Sequence, residues 1–435
     1  MKYFIKTFGC QMNFSDSERI AGKLEEIGYK SASNDKEADL IILNTCSVRQ
    51  SAEDRVWGAV NNYKKKKLYP RNSKIIVTGC IAKRKKVVEK MDKVDIFLDI
   101  KDLNKLPKLL NQNGIQAKNT NDYFQIKPKY QNSFTAYVPI MTGCDNFCSY
   151  CIVPFTRGRE TSRPMEEILE EVKGLVKQGY KEIWLLGQNV NSYINHERIK
   201  SELKTNKGSD FVILLEEINK LPGKFWIRFV SSHPKDMGDN LIKVISHNGH
   251  ITPYVHLALQ SGDNETLRKM NRHYTCEDYL KLVKKIRKAI PDVFLATDII
   301  VGFPGETQKQ FLNTVKIFKQ ARFSMVYINK YSPREGTASF KMKDNVSMAE
   351  KDRRAKELNR ALSKIALDNN KKLVGRQLEV LIDGRAKDGL YIGKDKSYRS
   401  VKIKSEKDLI GQFIRVKIKK AFDYGLEGEI VILDL

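Results

Sequence analysis

The sequence predicts an α/β protein in three parts: an N-terminal doubly wound parallel-sheet domain, a central partial βα barrel and a small C-terminal antiparallel β-barrel. Three observations predict it. Short β-branched strands alternate with helical stretches in the first part. A longer series of the same alternation follows a polar linker, and from about Lys372 the texture changes to short strands punctuated by glycine. These changes place the domains at 1–115, 130–368 and 372–435. A chain of 435 residues is also too long for one core of ordinary size.

In the first part, K-Y-F-I-K-T-F-G runs into Cys10, L-I-I-L-N-T into Cys46 and K-I-I-V-T-G into Cys80, each about one βα unit from the last. Ser15 and Glu18 predict a capping box that opens a helix running to Gly28. Right-handed crossovers place the carboxyl ends of parallel strands on one edge. Three cysteines distant in sequence therefore converge at the crevice where doubly wound folds bind ligands. Singly, each reads as a small buried residue closing a strand. Their repetition at the same place in successive units predicts a three-thiolate site.

Residues 112–133 are polar, contain Pro128 and show no sustained period, which predicts a linker. Candidate strands then follow at Thr135–Met141, Glu182–Leu186, Phe225–Val230, Tyr254–Leu259, Val293–Ile300 and Ser324–Asn329, a barrel or part of one. Directly after the first of them comes G-C-D-N-F-C-S-Y-C, with Cys144, Cys148 and Cys151 in C-x-x-x-C-x-x-C spacing. Iron-sulfur clusters usually take four thiolates. Three leave one iron open to a ligand such as S-adenosylmethionine (SAM), which points to radical chemistry carried by the cofactor. Structural zinc prefers paired C-x-x-C arms and four ligands. Phe147 and Tyr150 lie between the cysteines, either to shield a cluster or simply to pack the loop. Farther on, Ser347 and Glu350 predict a second capping box, opening a helix with Leu358, Leu362 and Ile365 on one face. Cys276 has no partner pattern and reads as structural.

The last part carries Q-L-E-V-L-I, G-L-Y-I-G, S-V-K-I-K, F-I-R-V-K-I and G-E-I-V-I-L, with basic side chains such as Arg399, Lys417 and Lys419 interleaved with Tyr398, Phe422 and Tyr424. Such a face either holds phosphates and stacks bases or is an ordinary solvated surface. Lysine and arginine number 78 against 52 acids, a net charge of +26, so the field favours a polyanion, nucleic acid first. The runs Lys64–Lys67 and Lys83–Lys86 add to it. No apolar run approaches the ~20 residues that span a bilayer, and Met1 to Cys10 lacks the apolar core of a leader. A cytoplasmic protein without a membrane partner is expected, and a monomer. Seven cysteines in such a chain fit metal ligation better than a disulfide framework.

Taken in order, these parts resemble the radical SAM methylthiotransferase family over nearly the whole chain. The first resembles the family's auxiliary-cluster domain, the middle its radical SAM partial barrel and the last its RNA-binding TRAM barrel. G-C-Q-M-N at Gly9 to Asn13 with D-S-E at Asp16 to Glu18, N-T-C-S-V-R at Asn44 to Arg49, P-F-T-R-G-R at Pro154 to Arg159 and L-L-G-Q-N-V-N-S-Y at Leu185 to Tyr193 are similar to the MiaB-type branch, which methylthiolates prenylated adenosine in tRNA. After the first cysteine the threonylcarbamoyladenosine branch carries a lysine-valine pair and the ribosomal-protein branch a proline-lysine pair. Here the residues are Gln11 and Met12. Phe155 and Glu335 depart from the usual tyrosine and proline.

The resemblance implies that Cys144, Cys148 and Cys151 hold a 4Fe-4S cluster that binds and cleaves SAM, and that Cys10, Cys46 and Cys80 hold a second 4Fe-4S cluster with its own open iron. The target it implies is C2 of an adenine beside the anticodon, whose C–H bond is too strong for acid-base chemistry. SAM contacts are implied at Gly187, Gln188, Asn189, Gln260, Ser261 and Asp298. Glycine after a strand, or buried polar groups closing strands, would look the same. Arg157, Arg159 and Arg163 suit RNA phosphate or the SAM carboxylate, and Arg399, Lys417 and Lys419 suit RNA. The implied partners are tRNA, a small redox protein as electron donor and a sulfur donor. Two alternatives stand beside this reading: the same chemistry on threonylcarbamoyladenosine tRNA or a ribosomal protein, and a non-catalytic RNA-binding protein with structural zinc.

Overall fold

The computed structural model describes residues 1–47, 50–65, 73–110, 123–195, 209–247 and 249–431. Outside them fall Val48 and Arg49 of the N-T-C-S-V-R motif, the first half of the expected linker, Lys66 and Lys67, and most of 194–210, a polar stretch without a clear period in the sequence. In the first part, β1 (Lys2–Phe8), β2 (Lys30–Ser31), β3 (Leu40–Thr45), β4 (Lys74–Gly79) and β5 (Ile96–Leu98) form a parallel sheet in the order β2-β1-β3-β4-β5. Alternation along β3 explains its two covered faces. Leu40 and Ile42 pack with Ile20 and Leu24 of helix α1 (Gln11–Glu26), while Ile41 and Leu43 pack with Val56 and Val60 of helix α2 (Gln50–Lys65).

Helix α1 begins four residues before the expected capping box. Cys10 is its N-cap, and Asn13 Oδ1 accepts the Cys10 N–H at 3.3 Å. Ser15 and Glu18 are mid-helix and buried against the central domain, because burial rather than capping occupies that face.

The central strands are β6 (Thr135–Pro139), β7 (Met141–Thr142), β8 (Thr161–Ser162), β9 (Glu182–Leu186), β10 (Trp226–Phe229), β11 (Tyr254–His256), β12 (Phe294–Val301) and β13 (Met325–Lys330). Six of them form two three-stranded parallel sheets, β6-β9-β10 and β11-β12-β13, joined through the bridges Ile227–Ile251 and Ser232–Leu257. This is a partial barrel. The expected strand Thr135–Met141 breaks after Pro139, where the chain leaves β9 and pairs β7 antiparallel with β8. The cysteine loop lies inside that small hairpin.

Helix Met348–Lys371, capped by Ser347, buries Leu358, Leu362 and Ile365 as expected. Beyond it, β14 (Gln377–Arg385), β15 (Tyr391–Asp395), β16 (Ser400–Ile403), β17 (Phe413–Phe422) and β18 (Gly425–Ile430) close a barrel around Val380, Ile382, Tyr391, Val401, Val416 and Ile418. Its docking on the centre turns on Arg228, 1% exposed, whose Nε donates to Glu182 and whose Nη1 and Nη2 donate to the carbonyls of Lys396 and Asp395 at 2.8 and 2.9 Å. Tyr398 from the same hairpin stands edge-on to Trp184 and Tyr254 at 4.9 and 5.2 Å, filling that end of the barrel. Among the described residues no helix is long and apolar enough to cross a membrane.

Candidate active site

Parallel register brings the first cysteine trio together. Phe8, Thr45 and Gly79 end three adjacent strands in register, and the Cys46 and Cys80 amides extend the ladders to Phe8 O and Thr45 O at 2.8 and 2.9 Å. Gly79, at φ +85°, makes the turn, and a Cβ there would stand 2.4 Å from Thr45 O. The sequence therefore needs glycine before Cys80. Asn44 is fully buried and ties β3 to the start of α1, its Nδ2 donating to Asn13 O at 2.7 Å and Ser17 Oγ at 2.9 Å.

Cys46 is hydrogen-bonded to both other thiols. That bond, against the opposing effect of burial and with help from the Arg157 charge, pushes Cys10 down to about 7 and Cys80 down to about 5. The same bonds hold Cys46 well above the ordinary thiol range.

Arg157 joins this trio to the second one. It lies six residues beyond Cys151, is 4% exposed, donates to Asp16 Oδ2 of α1 at 2.6 Å and sets its charge beside Cys80. Tyr123 donates to the other Asp16 oxygen at 2.7 Å. A second buried junction centres on Glu53, which takes Arg84 from its own domain and Arg334 from the centre at 3.2 Å, with Ser47 donating at 2.7 Å. Cysteine domain and barrel therefore meet through paired buried charges, which are costly to break one partner at a time.

Cys144, Cys148 and Cys151 line a cavity of about 670 Å³, within the range of small-molecule sites. Gly143, at φ +81°, starts the loop where a Cβ would meet Arg159 O at 2.0 Å. Arg272 steadies the loop, its Nη1 standing 3.5 Å from Cys148 Sγ and its Nη2 donating to Ala258 O at 2.6 Å. Burial raises the Cys144 thiol and pushes Cys151 up to about 12, so these two keep their protons until a cationic centre displaces them. Two buried oxygens on the cavity wall, Asn189 Oδ1 and Ser232 Oγ, have no protein partner. Such groups are costly unless a ligand or water satisfies them. Burial, aided by Arg272, pushes His233 down to about 2, so its imidazole is neutral. Gln50, Ser51 and Asp54 of α2 close the cavity from the cysteine domain.

A structural zinc site would close several ligands around one ion. Three thiols on a cavity with unsatisfied polar walls fit an iron-sulfur cluster with SAM, and the adjacent trio fits a further cluster by its donor set.

Of the residues expected to meet SAM, Gln188, Asn189, Gln260 and Asp298 line the cavity. Gln260, at φ +71°, bridges to β12, and Asp298 stands 3.1 Å from His256 Nε2. Two others do not line it. Gly187 is glycine because a Cβ would meet the Met141 side chain at 2.6 Å, and Ser261 is fully buried, accepting the Asp263 N–H. Two expected RNA contacts are corrected as well. Arg157 is buried on Asp16, and Arg399, its side chain 10% exposed, is paired with Asp395 at 3.0 Å. Arg163 is likewise buried on Glu167 and Glu171. Arg159, Lys417 and Lys419 are exposed, Arg159 pairing with Asp145 and Lys419 with Glu429. Tyr150 lines the cavity and Phe147 faces outward, while Cys276 is buried in the main core.

Sequence reasoning missed Ser232, His233 and Arg272. The polar S-S-H-P following the β10 strand repeats the placement of G-Q-N after β9, a signal that could have found the first two. Arg272 carries no such signal.

Fold and site define a radical SAM protein with a cysteine-bearing domain on one side and a small β-barrel on the other. The radical SAM superfamily model matches residues 138–318, the uncharacterized protein family UPF0004 matches 2–99 and the TRAM domain matches 371–431. The tRNA-2-methylthio-N(6)-dimethylallyladenosine synthase of Clostridium novyi is 42% identical over 99% of this chain and 96% of its own length. That of Bacillus cereus strain B4264 is 39% identical over 99% and 86%. The chain belongs to the tRNA-2-methylthio-N(6)-dimethylallyladenosine synthase family. Among solved structures, the radical SAM methyltransferase TsrM from Kitasatospora setae superposes with a TM-score of 0.54 at 13% identity, over 78% of this chain and 74% of that one. The cobalamin-dependent SAM radical enzyme OxsB gives 0.52 at 12%, over 78% and 54%. These two likenesses show the fold alone.

Proposed function

We infer that this chain methylthiolates C2 of N6-dimethylallyladenosine at position 37 of tRNA, with one SAM as methyl donor and a second as radical source. The observation that carries the reading is the pair of three-thiol sites in one body, each one ligand short of a closed cluster and both touched by the segment from Cys144 to Arg157. In this reading Cys144, Cys148 and Cys151 hold the SAM-binding 4Fe-4S cluster, and Cys10, Cys46 and Cys80 hold the second one. When bound, the clusters and SAM supply the carbon-centred radical that removes the C2 hydrogen and the sulfur that replaces it.

The protein's part is binding, orientation and exclusion of water. Asn189 and Ser232 offer their unpartnered oxygens to polar groups of SAM, and neutral His233 adds no charge beside its sulfonium. Ile300, Ile328, Met348 and Ala355 give the cavity an apolar wall that suits a five-carbon hydrocarbon tail, which supports the prenylated substrate. Arg159, Lys417 and Lys419 serve the RNA backbone, whose contacts respond to salt. A small redox protein and a sulfur donor complete the partners.

The test is nucleoside mass spectrometry of tRNA from a bacterial host lacking its own methylthiotransferase, with and without this gene. Appearance of the methylthio derivative of dimethylallyladenosine is expected. Persistence of the unmodified prenylated nucleoside beside iron-loaded, folded protein would overturn the substrate and direct attention to threonylcarbamoyladenosine.

A further inference from the structure

We propose that Glu18 is a proton-operated latch between the cysteine domain and the central barrel: protonated, it keeps α1 seated on the barrel, and its ionisation loosens the joint. The joint is closely packed. Residues 127–131 lie across α1 where Glu18 and Gly22 stand one helical turn apart on the same face. A Cβ on Gly22 would stand 2.1 Å from Lys127 O, the Lys129 N–H donates to Glu18 O at 2.8 Å, and the Gln131 N–H donates to Glu18 Oε1 at 3.3 Å. From the same helix Ser15 Oγ donates to Tyr137 O of β6 at 3.3 Å. Glu18 is 3% exposed, so its carboxyl group is cut off from bulk water.

Charge pairing at this joint leaves Glu18 out. Asp16 accepts from Arg157 at 2.6 Å, and Arg163 pairs with both Glu167 and Glu171. Arg19, fully buried beside Glu18, donates from Nη1 to Ser15 Oγ at 3.0 Å and holds Nη2 4.0 Å from Glu171 Oε1. Its Nε and Nη2, like Glu18 Oε2, have no hydrogen-bond partner. A buried carboxylate in that position is costly, whereas the neutral acid is not.

The groups facing Glu18 come from every element packed on it. They are Arg19 on α1, Tyr130 and the Gln131 N–H on the segment before β6, Tyr137 on β6, Glu171 on helix Met165–Lys177, and Tyr180 in the turn before β9. Burial outweighs the help of the Gln131 N–H and Arg19, Glu171 opposes the charge as well, and the Glu18 carboxyl is pushed up to about 7. Once the joint opens, Glu18 meets water and regains its ordinary 4.5. Between those two values opening releases a proton. The closed joint therefore has its full support below about 4.5 and loses it as pH rises through about 7. Because α2 of the same domain closes the cavity through Gln50, Ser51 and Asp54, a joint loosened above pH 7 also admits water to that cavity.

The test is hydrogen exchange on the full chain, purified and handled anaerobically, read at the Lys129 and Gln131 amides as protection relative to the intrinsic rate at each pH. In the wild type, opening at these amides is expected to rise about tenfold between about pH 6 and pH 8 and then to level off. Glu18→Gln keeps an oxygen for the Gln131 N–H but has no proton to lose. Its opening is expected to stay flat over that range, with protection at pH 8 above the wild type. Infrared difference spectra of the wild type over the same range are expected to show loss of a protonated-carboxyl band that Glu18→Gln lacks. A pH-dependent loss of equal size in Glu18→Gln would overturn the proposal, because another group then titrates. A flat wild-type profile, or no carboxyl band lost in that range, overturns it whether or not Glu18→Gln folds.

Discussion

Replacing Asp16 and Arg157, singly and together, tests whether the two cysteine sites are held as one unit. At 2.6 Å and an effective dielectric near 20 the attraction between their charges is roughly 6 kcal/mol, before the cost of taking both from water. Both side chains are essentially fully buried, so Arg157→Met strands a carboxylate and Asp16→Asn strands a guanidinium beside Cys80. Each single change should cost about 3–5 kcal/mol of local stability. The double variant loses both charges together and should cost less than the sum by at least ~2 kcal/mol. Because a three-part chain need not unfold in one step, the assay is native-state hydrogen exchange at the Cys46 and Cys80 amides. These report opening of the strand ends that carry the thiols. The expected acceleration in each single variant is between about 10² and 10⁴-fold. Single effects below ~1 kcal/mol, or additive effects in the double variant, would refute the claim that this pair joins the domains.

Three further outcomes follow from the same geometry. Cys80→Ala should lower iron and sulfide to near one cluster per chain and abolish methylthiolation while leaving SAM cleavage, measured by chromatography of the cleavage products; loss of cleavage with the first cluster intact would contradict that division of labour. Burial pushes Glu18 up to about 7 from an ordinary 4.5, and its Oε2 has no partner. The folded state then holds the proton more tightly than the unfolded chain, so this stability is present below about 4.5 and lost as pH rises through about 7. Glu18→Gln should accordingly stabilise the fold at pH 8, by up to about 3 kcal/mol, and not near pH 4.5, as read by denaturant midpoints. Arg228→Met leaves Glu182 buried without its cation, and limited proteolysis should release the 372–435 fragment markedly faster than from the wild type; equal rates would show that the barrel docks without this arginine.

Strand positions in the central barrel were legible because apolar β-branched runs bounded by turn residues survive in any context, and the observed strand ends fall within three residues of those read from sequence, the largest gap being at β11, which stops at His256 rather than Leu259. The start of α1 was not. Ser15 and Glu18 match a capping pattern, but their face of the helix is covered by the central domain, and Cys10 with Asn13 caps the helix instead. Arg157 and Arg399 illustrate a second limit. Clustered arginines look alike in sequence whether they face solvent or a buried carboxylate, and only packing separates them. Gly187 was singled out as a glycine facing a ligand, whereas the Met141 side chain fills that space.

The sequence by itself determined the six thiols, the βα units that present them and the three-part order of the chain. Those signals are local, since ligand spacing within one loop and alternation within one strand depend on a few neighbouring bonds. Tertiary structure alone decided that Arg157 reaches Asp16 beside the first cysteine trio, that α2 closes the cavity and that Ser232 and His233 line it. These depend on contacts between residues far apart in the chain, where burial removes water and forces each charge or polar atom to find a partner.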